Sequence, residues 1–263
     1  MLRKIVLAVA WISVDAMAAP DFQARAEYCA ELQLSQGANR RLSRSDRAYL
    51  LAFKNQGGLK NAGICWWHSR FTRNAAYLAL YRPDLRKPGA RAGRELVTRL
   101  REGRQVTEIP GYANLREFSL DFRSDIQVKM EDWQKSEGFL GGHWATGLTG
   151  TPSVSETRMA ELMDELYART QTGDTIFQVL QLPGVSTHAW LVTGMRRLND
   201  GYEIDVIESN LPGPTQYAYK RGMQEFEYLS GSIFTPYTQF ENEVPRMRKA
   251  IAEFCGKSLF PGG

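Results

Sequence analysis

The chain has little of what metal sites and membrane spans are built from. It contains only three histidines and three cysteines, and these do not fall into the closely paired spacing that zinc ligation requires. No glycine-rich phosphate loop and no dinucleotide-binding fingerprint occurs either. No apolar run is long enough to cross a bilayer. We therefore expect no metal, no bound cofactor and no membrane span.

The charge and composition are those of an ordinary globular protein. Lysine and arginine number 33 against 29 acidic residues, a net charge of +4. The densest basic stretch, residues 82–104, also carries Asp84, Glu95 and Glu102 and lacks an aromatic stacking pattern. We interpret it as a solvated helix face, and expect no nucleic-acid partner. The length allows one sizeable core or two lobes packed against each other.

The N-terminus has the layout of a secretory signal. Arg3 and Lys4 precede a short apolar run at residues 5–14, and small residues follow at 16–18. This order of basic start, apolar core and small-residue cleavage site predicts that residues 1–19 are removed on export. The alternative is a buried N-terminal strand. We expect the mature chain to be secreted or periplasmic.

Export changes how the cysteines are interpreted, because an odd number in an exported protein leaves one thiol over. Cys29 falls in the first helical segment and Cys255 in the last. Since the termini of a domain are often close together, a disulfide between these two is expected. Cys65 then remains free. The alternative, three buried reduced thiols, fits an oxidising compartment less well.

Hydrophobic periodicity divides the chain into a helical part and a sheet part. Helical spacing of apolar residues covers residues 22–34, 43–53, 65–81, 92–101, 159–166 and 244–254. Strand character is found at residues 118–122, 175–182, 188–196, 202–209 and 217–219. We therefore predict an α+β domain over residues 20–263. Its helical part covers about 20–170, its antiparallel sheet about 171–240 and its closing helix about 241–255.

The residues needed by a thiol hydrolase occur in a suitable order. Cys65 begins a predicted helix, whose positive dipole end favours thiolate over thiol. His188 opens a predicted strand 123 positions later, and Glu208 and Asn210 end the next one. Alternation along that strand places Glu208 at the end of a mainly apolar row, and Asn210 on the same side as its substitute. A nucleophile, a distant base and an orienting acid or amide are thereby available.

Two sequence blocks resemble the papain-like cysteine peptidases. Asn-Gln-Gly at residues 55–57 followed by Gly-Ile-Cys-Trp at residues 63–66 is similar to the loop and helix start of that family. His188 opens an apolar strand, as the family's histidine does. Papain's Asn-Ser-Trp is replaced by Glu-Ser-Asn at residues 208–210, an acid-x-Asn pattern found in more distant papain-like clans. The resemblance implies a papain-like fold whose central helix starts at Cys65.

The resemblance also implies roles and a substrate class. Cys65 attacks the carbonyl carbon of a peptide or other amide bond, and His188 takes and returns the proton. The backbone N–H of Cys65, together with Gln56 or Asn61, holds the oxyanion. The expected substrate is a peptide or protein, and the reaction needs no cofactor.

Each candidate residue also has a simpler interpretation. Cys65, which stands beside two tryptophans, can be an ordinary core residue, and His188 alone can be a strand-end histidine. Glu208 can equally be a surface salt-bridge partner. His68, three positions after Cys65, is a rival base, although two residues so close on one helix rarely align for proton transfer. His143 is interpreted as a loop residue.

Two alternatives concern the protein as a whole. The first is a cell-wall peptidoglycan amidase or endopeptidase of the Cys-His type, acting on cell-wall peptides outside the cytoplasm. The second is a binding or effector protein that keeps the papain-like fold without turnover. The reactivity of the free thiol and the chemical nature of the products distinguish these two alternatives from a hydrolase of peptide or other amide bonds.

Overall fold

The structure is a computed structural model that describes residues 20–55, 57, 64–139, 152–183, 187–228, 231–240 and 243–256. The predicted secretory signal, residues 1–19, lies outside the described residues.

The fold is α+β, with the helical part preceding the sheet as hydrophobic periodicity predicts. The helices of this part are α1 (Pro20–Leu32), α2 (Gly37–Leu42), α3 (Cys65–Leu78), α4 (Ala90–Glu102), α5 (Leu115–Asp121), α6 (Arg123–Trp133) and α7 (Glu156–Thr170). A π-helical turn, Gln134–Phe139, extends α6. Two short strands, β1 (Ala79–Arg82) and β2 (Thr107–Pro110), pair in parallel beside the helices.

The second half of the chain forms one large antiparallel sheet. Its strands are β3 (Ile176–Gln181), β4 (Thr187–Leu198), β5 (Gly201–Glu208), β6 (Pro214–Lys220), β7 (Phe226–Glu227) and β8 (Ile233–Phe240). Their order across the sheet is β6-β5-β4-β3-β8-β7. The closing helix, α8 (Val244–Gly256), packs back on α1 and α3. The periodicity did not predict β8, which contains Pro236, a residue without a ladder-forming N–H.

Both faces of the sheet are buried around its central strand β3, whereas the edge strand β6 is largely exposed. One face packs on the helical part through α3, and the other packs on α7. The residues that face the helical part include Phe177, Val179, Ala189, Leu191 and Ile207. Those on the α7 side include Trp190, Val192, Ile204 and Val206. The sheet is therefore the middle layer, with the helix that starts at Cys65 lying against it.

Helix α3 crosses the centre of the protein, and all 14 of its residues are buried. Two of them are charged, so each needs a partner inside the protein. Arg70 Nη2 lies 2.7 Å from Glu243 Oε1, and Arg73 also pairs with this carboxylate. Burial would raise the pKa of Glu243, but the Arg73 and Arg70 charges lower it to about 2. These ion pairs tie α3 to the start of α8.

The two ends of the domain are joined covalently. Cys29 on α1 and Cys255 on α8 form a disulfide whose Cα atoms are 5.7 Å apart. Cys65 is left as a free, buried cysteine. The pairing agrees with the one expected from the odd cysteine count.

The helix predicted over residues 43–53 is wrong. Helix α2 ends at Leu42, and the following residues form turns. Asp46 Oδ1 accepts a hydrogen bond of 3.0 Å from the backbone N–H of Ala48, and Arg47 adopts a positive φ of 57°. Short polar side chains that bond the local backbone compete with helix formation. In this segment the turns form instead of the helix.

The strand predicted at residues 118–122 is also wrong, because this segment is helix α5. Phe118 and Phe122 are buried, whereas Leu120 is 61% exposed. Residues four apart share a helix face as readily as a strand face, so the two phenylalanines fit either structure. Asn114 decides for the helix, since its side chain caps the N–H of Glu117 at 2.9 Å.

Candidate active site

Cys65 is the first residue of α3 and is 4% exposed. The preceding residue, Ile64, has no polar side chain with which to cap the helix. The Cys65 thiol lies in the first turn of α3. The positive end of the helix dipole therefore acts on it. One turn later, the Ser69 hydroxyl donates to the carbonyl of Ala189 at 3.4 Å. This bond attaches the nucleophile's helix to β4 beside His188.

A β-bulge decides which face of the sheet His188 occupies. Near the β4–β5 turn, Met195 pairs with Ile204, but beyond the bulge Trp190 pairs with Glu208. The pairing shifts by one residue between Val192 and Gly194. Because successive strand side chains point to opposite faces, this shift brings the even-numbered end of β4 to the face of Glu208.

His188 and Glu208 consequently form a buried ion pair. His188 Nε2 lies 3.3 Å from Glu208 Oε1, and the two side chains are 6% and 1% exposed. The geometry at Nε2 does not fit a directed hydrogen bond. The interaction between the two side chains is therefore mainly electrostatic. A carboxylate on Nε2 leaves Nδ1 as the ring nitrogen that can face the thiol. Of the two residues proposed to orient His188, Glu208 is the one that contacts it.

The surroundings of His188 favour its charged form. Burial would lower its pKa, but the charge and hydrogen bond of Cys65, followed by the nearby Glu208 carboxylate, raise it from 6.5 to about 10. Because the folded protein raises this pKa, the contacts contribute to its stability. Their contribution is complete at pH values below the ordinary histidine pKa. That stabilisation is lost as the pH rises through about 10. At neutral pH His188 is therefore an imidazolium, paired with the Glu208 carboxylate.

Two tyrosines that the sequence reasoning missed complete the surroundings of this pair. The Tyr217 hydroxyl donates to Glu208 Oε2 at 3.4 Å, so the carboxylate is held on both oxygens. The Tyr228 ring stands edge-on to the His188 ring, with centroids 5.9 Å apart. Both lie in an aromatic-rich region, and no local pattern in the sequence distinguishes them from core residues.

Asn210 is placed differently from Glu208. It is exposed, and its Oδ1 accepts a hydrogen bond of 3.2 Å from Nδ2 of Asn55. The backbone N–H of Asn55 also donates to the Ser209 carbonyl at 2.9 Å. Asn55 Oδ1 in turn accepts from the N–H of Ile64 at 3.2 Å. Asn55 therefore connects the residue before the nucleophile to the end of the Glu208 strand, and Asn210 serves this connection.

We predict that Glu208, and not Asn210, acts with Cys65 to raise the pKa of His188. Glu208→Gln removes a buried negative charge, so the midpoint of the His188 titration should fall by about 1 pH unit or more. Asn210→Ala is the matched control, and it should leave the midpoint unchanged. The measurement is the ring C–H chemical shift of His188 across an alkaline pH titration. A midpoint moved only by Asn210→Ala would reassign the orienting role to the amide.

His68, the rival base, has a structural role. Its Nε2 lies 3.1 Å from the carbonyl oxygen of Phe53, an acceptor, so this nitrogen carries a proton and donates. Burial lowers the pKa of His68 to about 4, and the charge of His188 acts in the same direction. The neutral imidazole of His68 therefore attaches α3 to the backbone at Phe53. It is unsuited to forming an ion pair with Cys65.

Three of the predicted residues lie outside the described residues: Gln56 and Asn61, the candidates for the oxyanion site, and His143. Within the part of the chain that is described, His, Cys, Asp and Glu side chains form no cluster able to hold a metal ion. None of its helices combines the length and apolar character needed to span a bilayer.

In comparisons with known proteins, the chain matches no family model, no curated protein and no solved structure.

Proposed function

We propose that this chain is an exported cysteine hydrolase of papain-like fold that cleaves peptide or other amide bonds. The observation that supports the proposal is that His188 interacts with both the only free cysteine and a buried carboxylate. A core cysteine needs no such partner, and a surface salt bridge would leave Glu208 exposed. The three groups together have the order of nucleophile, base and orienting acid.

The first half of the reaction is acylation of Cys65. The thiolate sulfur attacks the carbonyl carbon of the substrate, a C–S bond forms, and the π electron pair moves to the oxygen. When the tetrahedral intermediate collapses, the carbonyl re-forms and the C–N bond breaks. His188, already protonated, gives its proton to the departing amine. Glu208 keeps the imidazolium oriented and compensates its charge throughout this step.

The second half is hydrolysis of the thioester. His188 is now neutral and removes a proton from water, whose oxygen attacks the acyl carbon. Collapse of the second intermediate breaks the C–S bond, releases the carboxylic acid and regenerates the thiolate beside the imidazolium. The same residue acts as acid in one half-reaction and base in the other, as acyl transfer requires.

The architecture is compatible with a papain-like arrangement. The nucleophile begins the central buried helix, the base comes from β4, which packs against that helix, and the acid comes from β5, the antiparallel neighbour of β4. The reacting groups thus come from the two parts of the domain. Small movements between those parts would alter the distance from Cys65 to His188.

The cysteines and the N-terminus support an exported location. A disulfide between α1 and α8 persists in an oxidising compartment and is rare in the cytosol. The signal-like segment at residues 1–19 provides the route to such a compartment. Mass spectrometry of the protein recovered outside the cytoplasm tests both features, through the new N-terminus and the Cys29–Cys255 peptide pair.

The proposal is tested by offering two substrates, a fluorescently labelled unfolded protein and purified peptidoglycan, to the wild type and to Cys65→Ala. Cleavage of the unfolded protein by the wild type alone supports a peptidase. Release of muropeptides by the wild type alone identifies the cell-wall hydrolase instead. If the folded wild type cleaves neither and its Cys65 resists iodoacetamide at neutral pH, the catalytic proposal is wrong.

A further inference from the structure

Tyr228 is held rigidly next to the site. It follows β7, and its N–H donates to the Ser232 carbonyl at 2.8 Å, while its own carbonyl accepts from Gly231 at 2.8 Å. Gly231 has a positive φ of 80°, which favours glycine at this turn. The Tyr228 ring packs against Phe234, with centroids 4.6 Å apart. Both its backbone and its ring are therefore fixed by the β7–β8 connection.

The hydroxyl of Tyr228 is an unused donor. Its oxygen is buried and has no hydrogen-bond partner among the described residues. A buried polar group without a partner is costly, and such groups in native proteins call for an explanation. The Tyr228 ring stands beside His188, at 5.9 Å between centroids. The hydroxyl without a partner therefore belongs to a side chain that lies beside His188.

Glu208 interacts with this hydroxyl, but without the geometry of a directed hydrogen bond. Glu208 already has His188 on Oε1 and the Tyr217 hydroxyl on Oε2. Burial raises the pKa of Tyr228 well above its ordinary value, and the charges of Glu208, Tyr217 and Cys65 raise it further. Tyr228 therefore stays a neutral O–H donor over the pH range in which the site can work.

We propose that the Tyr228 hydroxyl donates a hydrogen bond to the oxyanion that forms on the substrate's carbonyl oxygen when Cys65 attacks. This inference rests on the proposed hydrolase function. The thiolate charge moves to the carbonyl oxygen in that step, so a prearranged neutral donor stabilises the intermediate more than the ground state. The backbone N–H of Cys65 supplies a second donor. Tyr228 is thereby a catalytic residue.

Two small reagents separate this role from a structural one. Acylation of Cys65 by p-nitrophenyl acetate passes through an oxyanion, whereas alkylation by iodoacetamide displaces iodide at carbon and forms none. In Tyr228→Phe we expect the rate of p-nitrophenolate release to fall by about 10²-fold. The iodoacetamide rate should remain within about twofold of the wild type, since no oxyanion donor is needed.

Tyr219→Phe is the matched control. Tyr219 also has a buried hydroxyl without a partner among the described residues. It stacks on Tyr202 at 6.4 Å, and neither Cys65, His188 nor Glu208 is among the groups that shift its pKa. Both reaction rates should be unchanged in this variant.

The outcomes distinguish the inference from the function on which it rests. Unchanged acylation in Tyr228→Phe, or an equal fall in both rates, overturns the oxyanion role. An equal fall would instead identify Tyr228 as a residue that positions His188. Cys65→Ala serves as the background for both reagents. If it retains the wild-type ester reaction, the proposed nucleophile itself is wrong.

Discussion

His188→Ala is expected to lower amide hydrolysis by about 10⁴-fold or more, because the thiolate loses its counter-ion and the leaving amine loses its proton donor. Alkylation of Cys65 by iodoacetamide at about pH 6 should become slow as well, since an ordinary thiol is almost fully protonated there. The two measurements are initial rates of hydrolysis and the mass increase of the Cys65 peptide with time.

His68→Gln is the control for this experiment. Glutamine keeps an N–H donor for the Phe53 carbonyl, to which His68 Nε2 is bonded at 3.1 Å. Hydrolysis and alkylation should stay within about threefold of the wild type in this variant, since neither depends on the imidazole. Two results would show that His188 is not the base. One is alkylation at the wild-type rate in His188→Ala, and the other is slow alkylation in His68→Gln alone, with the fold intact by circular dichroism.

Removal of the disulfide is expected to have the largest effect on stability. The bond joins residues 226 positions apart, so it removes much of the conformational freedom of the unfolded chain. The double variant Cys29→Ser with Cys255→Ser should lose about 3 to 5 kcal/mol of unfolding free energy. Urea unfolding followed by tryptophan fluorescence and circular dichroism measures the change.

Cys65→Ser is the matched control, because it removes a cysteine without opening the covalent loop. Its unfolding free energy should fall by less than that of the double variant, because only the interaction with His188 is lost and the covalent loop stays closed. A double variant as stable as the wild type would show that the unfolded chain gains little freedom when the bond is absent. An equal loss in Cys65→Ser would attribute the effect to burial of polar serine rather than to the cross-link.

The sequence predicted much of the site because each of those residues carries a local signal. Cys65 follows a glycine-containing loop and begins an apolar helix, which marks a helix start without knowledge of the rest of the fold. The cysteine count and the positions of Cys29 and Cys255 were enough to suggest which pair would bond. His188 and Glu208 lie at the ends of segments that are rich in β-branched and aromatic residues, a composition that indicates strands.

Other features had no local signal. The segment at residues 118–122 fits a helix and a strand equally well by apolar spacing, and the cap at Asn114 decided between them. Asn55 belongs to a recognisable Asn-Gln-Gly block, yet its connection to the Glu208 strand depends on a contact across the domain. Tyr228 reaches His188 only through the order of strands in the sheet.

By itself, then, the sequence determined the α+β class, the position of Cys65 at a helix start and the identity of the residues available to act with it. Only the tertiary structure showed that Glu208, and not Asn210, contacts His188. The β-bulge on β4 rotates His188 onto the face of Glu208, while Asn210 is drawn to Asn55. The physical reason is that strand alternation is local, whereas register, and hence which side chains meet, is set by pairing between strands.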